Sequence, residues 1–186
     1  MNKFFFFLIT YGSLFAACTG ENLYGTALWI VDGDTILLRR KNQLTTVRLW
    51  GIDAPEKKQS GGKAATSFLV RLIGRKRVKV VPHGCGKYGR VIGKVYYKGK
   101  FINLEMIKSG HAWWLEKYSP EATELQEAEK KARESKIGLW QNPEAIKPEF
   151  FRHPKLRPNS ERQSQFSAAS NIFLYSANDF LYLAAL

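Results

Sequence analysis

The chain has 186 residues, room for one domain and short extensions, and no internal repeat is visible, which excludes a repeat array. Apolar residues make up 45% and aromatic residues 13%, a composition that suits a packed core. A net charge of +13 and a pI near 9.8 favour polyanionic partners, nucleic acid or an anionic membrane surface. Charge does not separate binding from cleavage, and a basic surface that only keeps the chain soluble is the plain alternative.

Met1-Asn2-Lys3 precedes a run of Phe, Leu and Ile that ends in small residues. Residues 1–18 therefore read as a secretory signal, too short for a membrane span. Leu14-Phe15-Ala16-Ala17-Cys18 also resembles a lipoprotein processing site, although Phe15 is not the usual aliphatic residue there. Lipidation of Cys18, and with it a membrane tether, is one outcome. In that case Cys85 stands alone, and a Cys18–Cys85 bridge is the lesser alternative.

Tyr24 to Val31 reads as a first strand, Asp32-Gly33 as a turn and Thr35 to Arg40 as the return strand. Leu44 to Trp50 is a third strand. Alternation places Arg48 on the face opposite Val47 and Leu49. The residue before Pro55 is driven toward extended geometry, so Asp53 to Glu56 forms a stiff loop at a strand end. Ala65, Phe68, Leu69 and Leu72 have helical spacing within Lys63 to Ile73, and Gly74 ends that helix. Lys76 to Val81 and Val91 to Tyr97 are strands. Asn103 to Ser109 is a short helix, and Pro120 to Ser135 is a helix with Leu125, Ala128 and Ala132 as its apolar stripe. His153 to Gln165 reads as linker or disorder. Ile172 to Leu186 is apolar but interrupted by Asn178-Asp179, too short to span a bilayer, and no role is read for the tail.

Three motifs carry chemistry: Val31-Asp32-Gly33-Asp34-Thr35, then Val47-Arg48-Leu49-Trp50-Gly51-Ile52-Asp53-Ala54-Pro55-Glu56, then Lys87-Tyr88-Gly89-Arg90. Phosphodiester hydrolysis needs these residue types. Carboxylate oxygens hold a hard divalent cation. Guanidiniums neutralise charge on the phosphate. A further carboxylate orients or deprotonates a water.

In this order the motifs resemble the staphylococcal nuclease (thermonuclease-type) family, from about residue 24 to residue 152. Gly110-His111-Ala112-Trp113-Trp114 and Ile137-Gly138-Leu139-Trp140 also resemble runs in related bacterial sequences. The resemblance implies an α+β fold, a five-stranded OB-type β-barrel with about three helices. It further implies a calcium cofactor and DNA or RNA as substrate, with 3′-phosphate ends as product. By position, Asp34 and Asp53 resemble the metal carboxylates, and Ala54 would add its backbone carbonyl. Glu56 resembles the water-orienting acid, and Arg48 and Arg90 the phosphate-binding arginines. Lys87, Tyr88 and Tyr118 resemble contacts to the rest of the nucleotide. Ala54 stands where the family often has Thr, and Gly86 where an Asp commonly precedes the Lys-Tyr-Gly-Arg turn.

Each residue has a plainer reading. Asp34 and Asp53 could be turn or cap carboxylates, and Arg48 a strand-face salt-bridge partner, with Glu56 close by in sequence. Arg90, Lys87 and Tyr88 are ordinary surface types, and Tyr118 suits a surface as well as a base stack. An EF-hand fails at Asp34, because Ile36 occupies the place of a ligand. His83-Gly84-Cys85 offers only half of a zinc site. Trp113, Trp114 and Trp140 read as packing residues. The chain is therefore expected to be a secreted or envelope-associated nuclease of low sequence specificity, with no obligate protein partner evident. A catalytically silent nucleic-acid-binding module of the same fold is the alternative. A third reading is a basic, membrane-facing protein acting through its tail.

Overall fold

The computed structural model describes Cys18 and residues 20–157. The proposed signal run, apart from Cys18, and the tail beyond residue 157 lie outside the described residues. The chain divides after Ala145 into two compact units.

In the first unit, β1 (Leu23–Ile30), β2 (Thr35–Arg40) and β3 (Gln43–Leu49) form an antiparallel meander. After β4 (Ile52–Asp53) and α1 (Gly62–Ile73), β5 (Arg77–Cys85) pairs antiparallel with β1, and β6 (Val91–Tyr97) pairs antiparallel with β5. Parallel pairing of β3 with β6, Val47 opposite Val91 and Arg48 opposite Ile92, closes a five-stranded barrel. Closure leaves none of the five strands as a free edge. β7 (Lys100–Phe101) extends β6, and β8 (Trp113–Trp114) pairs with β4. α2 (Ile102–Lys108) and α3 (Thr123–Glu134) complete the unit.

Period-two burial sets the register. Ile36, Leu38, Val47, Leu49, Val78, Val80, Val91 and Val95 are buried inside the barrel. Each fully buried aliphatic side chain contributes about 1.5–3 kcal/mol. α1 buries Ala65, Leu69 and Ile73, and α3 buries Leu125, Ala128 and Ala132, the expected stripe. Asn103 is fully buried and satisfied. Its Oδ1 accepts from Val95 N–H at 3.0 Å, and its Nδ2 donates to the Trp50 carbonyl at 2.8 Å. One side chain thus ties the chain just after β3 to β6.

The second unit contributes α4 (Pro148–Arg152) and a 3₁₀ turn at Pro154–Leu156. The described residues therefore hold four helices, and the one beyond the expected three is this five-residue segment. The turn also lies in the stretch read as linker. No helix among the described residues is long and apolar enough to cross a membrane.

The lesser alternative for the cysteines is the one the structure contains: Cys18 is disulfide-bonded to Cys85. The cause is strand register. Leu23 pairs with Val80, and continuing that antiparallel register by five residues on each side brings Cys18 opposite Cys85. A sulfur in a disulfide cannot also carry a lipid thioether, so the bridged chain has no tether at Cys18, and a signal read as residues 1–18 would have to end before Cys18 for the bridge to persist. The bridge likewise removes Cys85 as a thiolate for the half zinc site.

Candidate active site

The β1–β2 hairpin delivers Asp34. The Asp32 side chain accepts from the Asp34 N–H at 3.1 Å, an Asx turn that fixes the reversal. Gly33 permits close packing: a Cβ there would lie 2.6 Å from Ala54 Cβ and 2.8 Å from Ala65 Cβ. The turn therefore rests on both the Asp53–Glu56 loop and α1. β4 delivers Asp53, held opposite Trp113 of β8. Asp34 and Asp53 are both buried, at 1% and 2% exposure.

Arg48 joins them. Its Nη1 pairs with Asp34 Oδ1, and its Nη2 donates to Asp53 Oδ1 at 2.5 Å. The other Asp34 oxygen accepts from the Ala54 N–H at 2.7 Å, and Thr35 Oγ1 donates to Oδ1 at 3.0 Å. Of the five N–H donors on a guanidinium, these two contacts use two. The Arg48 side chain is 22% exposed and reaches the surface.

Two buried carboxyls face one guanidinium, so the cluster carries an excess negative charge only when both are ionised. Burial pushes the Asp34 carboxyl up, to about 8, against the pull of Arg48, and the charges of Asp32 and Asp53 add to the rise. For Arg48, burial alone would lower the value, but Asp34 and Asp53 reverse this and hold the guanidinium above its ordinary range. Hard oxygen donors that gain excess negative charge when both carboxyls ionise fit a hard divalent cation. Among the described residues, no group of three or more His, Cys, Asp and Glu is placed to hold a metal. Ligands beyond the two carboxylates would be the Ala54 carbonyl, water and the phosphate of a substrate.

Glu56 follows Pro55 on the same loop. Its N–H donates to Gln59 Oε1 at 3.1 Å, and its carbonyl accepts from Gln59 N–H at 2.8 Å. Gly62, the first residue of α1, packs against that carbonyl, where a Cβ would approach to 1.9 Å. Arg90 sits just before β6. Because Arg48 pairs with Ile92, alternation puts Arg90, two residues earlier, on the same outward face as Arg48 of the neighbouring strand. Arg90 Nε donates to the Lys87 carbonyl at 3.3 Å, which shapes the turn. Lys87 is exposed, and Tyr88 is 97% exposed with φ of +60°.

The structure thus gathers Asp34, Asp53, Ala54 and Arg48 through direct contacts, with Glu56 on the adjoining loop and Arg90 on the adjacent strand. Tyr118 lies on a 3₁₀ turn, 66% exposed, with the Lys117 ammonium 5.6 Å from its ring centroid. No direct contact places it against the carboxylates. Trp113 packs edge-on against Trp140, and the Trp114 indole N–H donates to the Ser119 carbonyl, which fits their reading as packing residues.

Residues 46–142 match the family described as staphylococcal nuclease homologue. An uncharacterized endonuclease of Escherichia coli is 35% identical over 72% of this chain and 88% of its own length. An uncharacterized endonuclease of Haemophilus influenzae is 38% identical over 75% of this chain and 79% of its own. A micrococcal nuclease of Shigella flexneri is 37% identical over 67% and 77%. The chain belongs to the staphylococcal nuclease family.

Within this staphylococcal nuclease fold, three supporting residues were not singled out from sequence. Asp32 closes the Asx turn, and its carboxylate two places before Asp34 was a readable signal. Thr35 donates to Asp34 as its sequence neighbour. Gln59, 8% exposed, braces the backbone of Glu56, and only its three-residue spacing from Glu56 hints at it.

Proposed function

We propose that this staphylococcal nuclease family member is a calcium-dependent, extracytoplasmic endonuclease. It hydrolyses phosphodiester bonds of DNA and RNA with low sequence specificity and leaves 3′-phosphate ends. The observation that carries the reading is the buried Asp34–Arg48–Asp53 cluster, two carboxyls against one guanidinium, set beside the Glu56 loop. The product polarity rests on the family resemblance alone. The Cys18–Cys85 bridge supports an oxidising compartment, where disulfides persist.

Asp34, Asp53 and the Ala54 carbonyl would hold calcium, which when bound adds positive charge beside the phosphate and helps order its surroundings. Glu56 orients the attacking water and accepts its proton. The water oxygen bonds to phosphorus, the bond to the 5′ oxygen breaks, and that oxygen takes up a proton. Arg48 and Arg90 donate to the non-bridging oxygens, and their planar forks match the charge spread over them. Lys87 and Tyr88 bind the neighbouring nucleotide.

The deciding experiment is degradation of single-stranded DNA by the purified mature protein with calcium, then with excess EGTA. Cleavage that requires calcium is the expected result. Tight binding without cleavage would favour a silent module, and cleavage unaffected by EGTA would remove the metal assignment.

A further inference from the structure

A second feature lies away from the carboxylate cluster, on the outer face of β1, β5 and β6. Tyr24 on β1 pairs with Lys79 on β5, Lys79 pairs with Tyr96 on β6, and Tyr96 pairs with Phe101 on β7. An aromatic, a cation and two aromatics thus stand in one row across four strands. The Tyr96 and Phe101 rings stack at 5.1 Å with 20° between their planes, which holds Tyr96 rigid. Tyr24 is 51% exposed. Arg77 and Lys98 flank the row, and with Tyr24, Lys79 and Tyr96 they line a groove of about 470 Å³. The lining has three cations and no acidic side chain. Glu124 is the acid close enough for its charge to act on Tyr96.

Strand β6 runs between the Arg90 turn and the groove. Val91, Gly93 and Val95 of β6 face the core, so Ile92, Lys94 and Tyr96 face outward, on the same side as Arg90. Tyr96 lies six positions beyond Arg90, about 20 Å along the strand. That distance spans about six stacked nucleotides of one strand. Lys94 lies between them, its ammonium 4.2 Å from the Trp50 ring centroid.

We infer that this groove is a remote binding site for single-stranded nucleic acid, reached from Arg90 along the outer face of β6. Arg77, Lys79 and Lys98 pair with backbone phosphates, and the exposed Tyr24 ring stacks on a base. A duplex keeps its bases stacked inside, so the aromatic row selects an unpaired strand. The inference deepens the nuclease reading, since the groove would hold the part of a long substrate beyond the cleaved bond.

The test measures binding of a fluorescent 20-nucleotide single strand in EGTA, so affinity is read without cleavage. Arg77→Ala/Lys79→Ala/Lys98→Ala should weaken binding at least about tenfold and make the log–log salt dependence shallower by about two. The charge-matched variant Lys130→Ala/Lys131→Ala/Lys136→Ala, on and just after α3, should lose far less. Tyr24→Ala, at an exposed position, should lose about fivefold or more even at high salt, where stacking persists. With calcium, kcat/KM on a dinucleotide too short to reach the groove should be unchanged in all these variants. Wild-type affinity in the groove variants, or an equal loss in the control, would overturn the groove. Wild-type protein that binds but never cleaves would overturn the nuclease reading, while the binding comparison would still judge the groove by itself.

Discussion

Arg48 donates from Nη2 to Asp53 Oδ1 at 2.5 Å, and the same guanidinium pairs with Asp34 through Nη1. Arg48 thereby holds two carboxylates that would otherwise repel, one from the β1–β2 turn and one from β4. Lys keeps the charge but not the fork. Arg48→Lys should therefore lower both the melting temperature and kcat, the latter about 10²–10³-fold. Arg90→Lys should lower kcat while the melting temperature holds, because its guanidinium contact is an exposed one to Lys87. Thermal melts and single-turnover rates on both variants check this, and equal melting losses would remove the distinction.

Asp34 gives a pH dependence with a definite sign. Its folded value is raised to about 8 from 3.8, so the metal-free folded state holds a proton that the unfolded chain has released in that window. The stabilising contribution is complete below about pH 4 and is lost as pH rises toward 8. Calcium needs the ionised carboxylate, so its affinity should rise over the same interval. Melting curves of wild type and Asp34→Asn, in EGTA and in calcium, should differ in slope over that range, with the calcium shift absent from the variant. Parallel curves would sink the assignment.

The strands were legible because they alternate cleanly, and the barrel they form was expected from the family resemblance. Val47 and Leu49 point inward while Arg48 points out, and Val78 and Val80 point inward while Arg77 and Lys79 point out. The helices were legible from Ala65, Leu69 and Leu125 at helical spacing. The β4–β8 pairing was not, since two-residue strands carry no periodicity, and neither was barrel closure, which depends on β3 meeting β6 across more than forty residues of chain. At the site, residue types and order pointed to Asp34, Arg48, Asp53 and Glu56. That Arg48 binds both carboxylates follows from tertiary contact and has no local signature. The disulfide was ranked too low for the same reason, because its cause is the register of β1 on β5.

Glu56 separates chemistry from positioning. If Glu56 is the proton acceptor, Glu56→Gln removes it but keeps the shape, so kcat should fall about 10²–10⁴-fold with an unchanged melting temperature. Gln59→Ala leaves the carboxylate in place but removes the side-chain acceptor for the Glu56 N–H. Its kcat should fall about tenfold with KM nearly unchanged, and Gln59→Glu, which retains an acceptor oxygen, should recover part of the loss. Full activity in Glu56→Gln would take that residue out of the mechanism.

The Cys18–Cys85 bridge closes a separation of 67 residues, which in a chain-entropy account stabilises the fold by about 4 kcal/mol. It also lies beside the Lys87–Arg90 turn. Cys85 pairs with Val91, and the Gly86 N–H donates to the Arg90 carbonyl at 2.8 Å. Replacing both cysteines by serine should lower the melting temperature sharply and, below the melt, raise KM more than it lowers kcat, because Arg90 loses its anchored neighbour. Dithiothreitol should shift the wild-type melt toward that of the double variant and leave the variant unmoved. A wild-type melt indifferent to the reductant, with reduction verified by thiol titration, would show that the bridge does not support the fold.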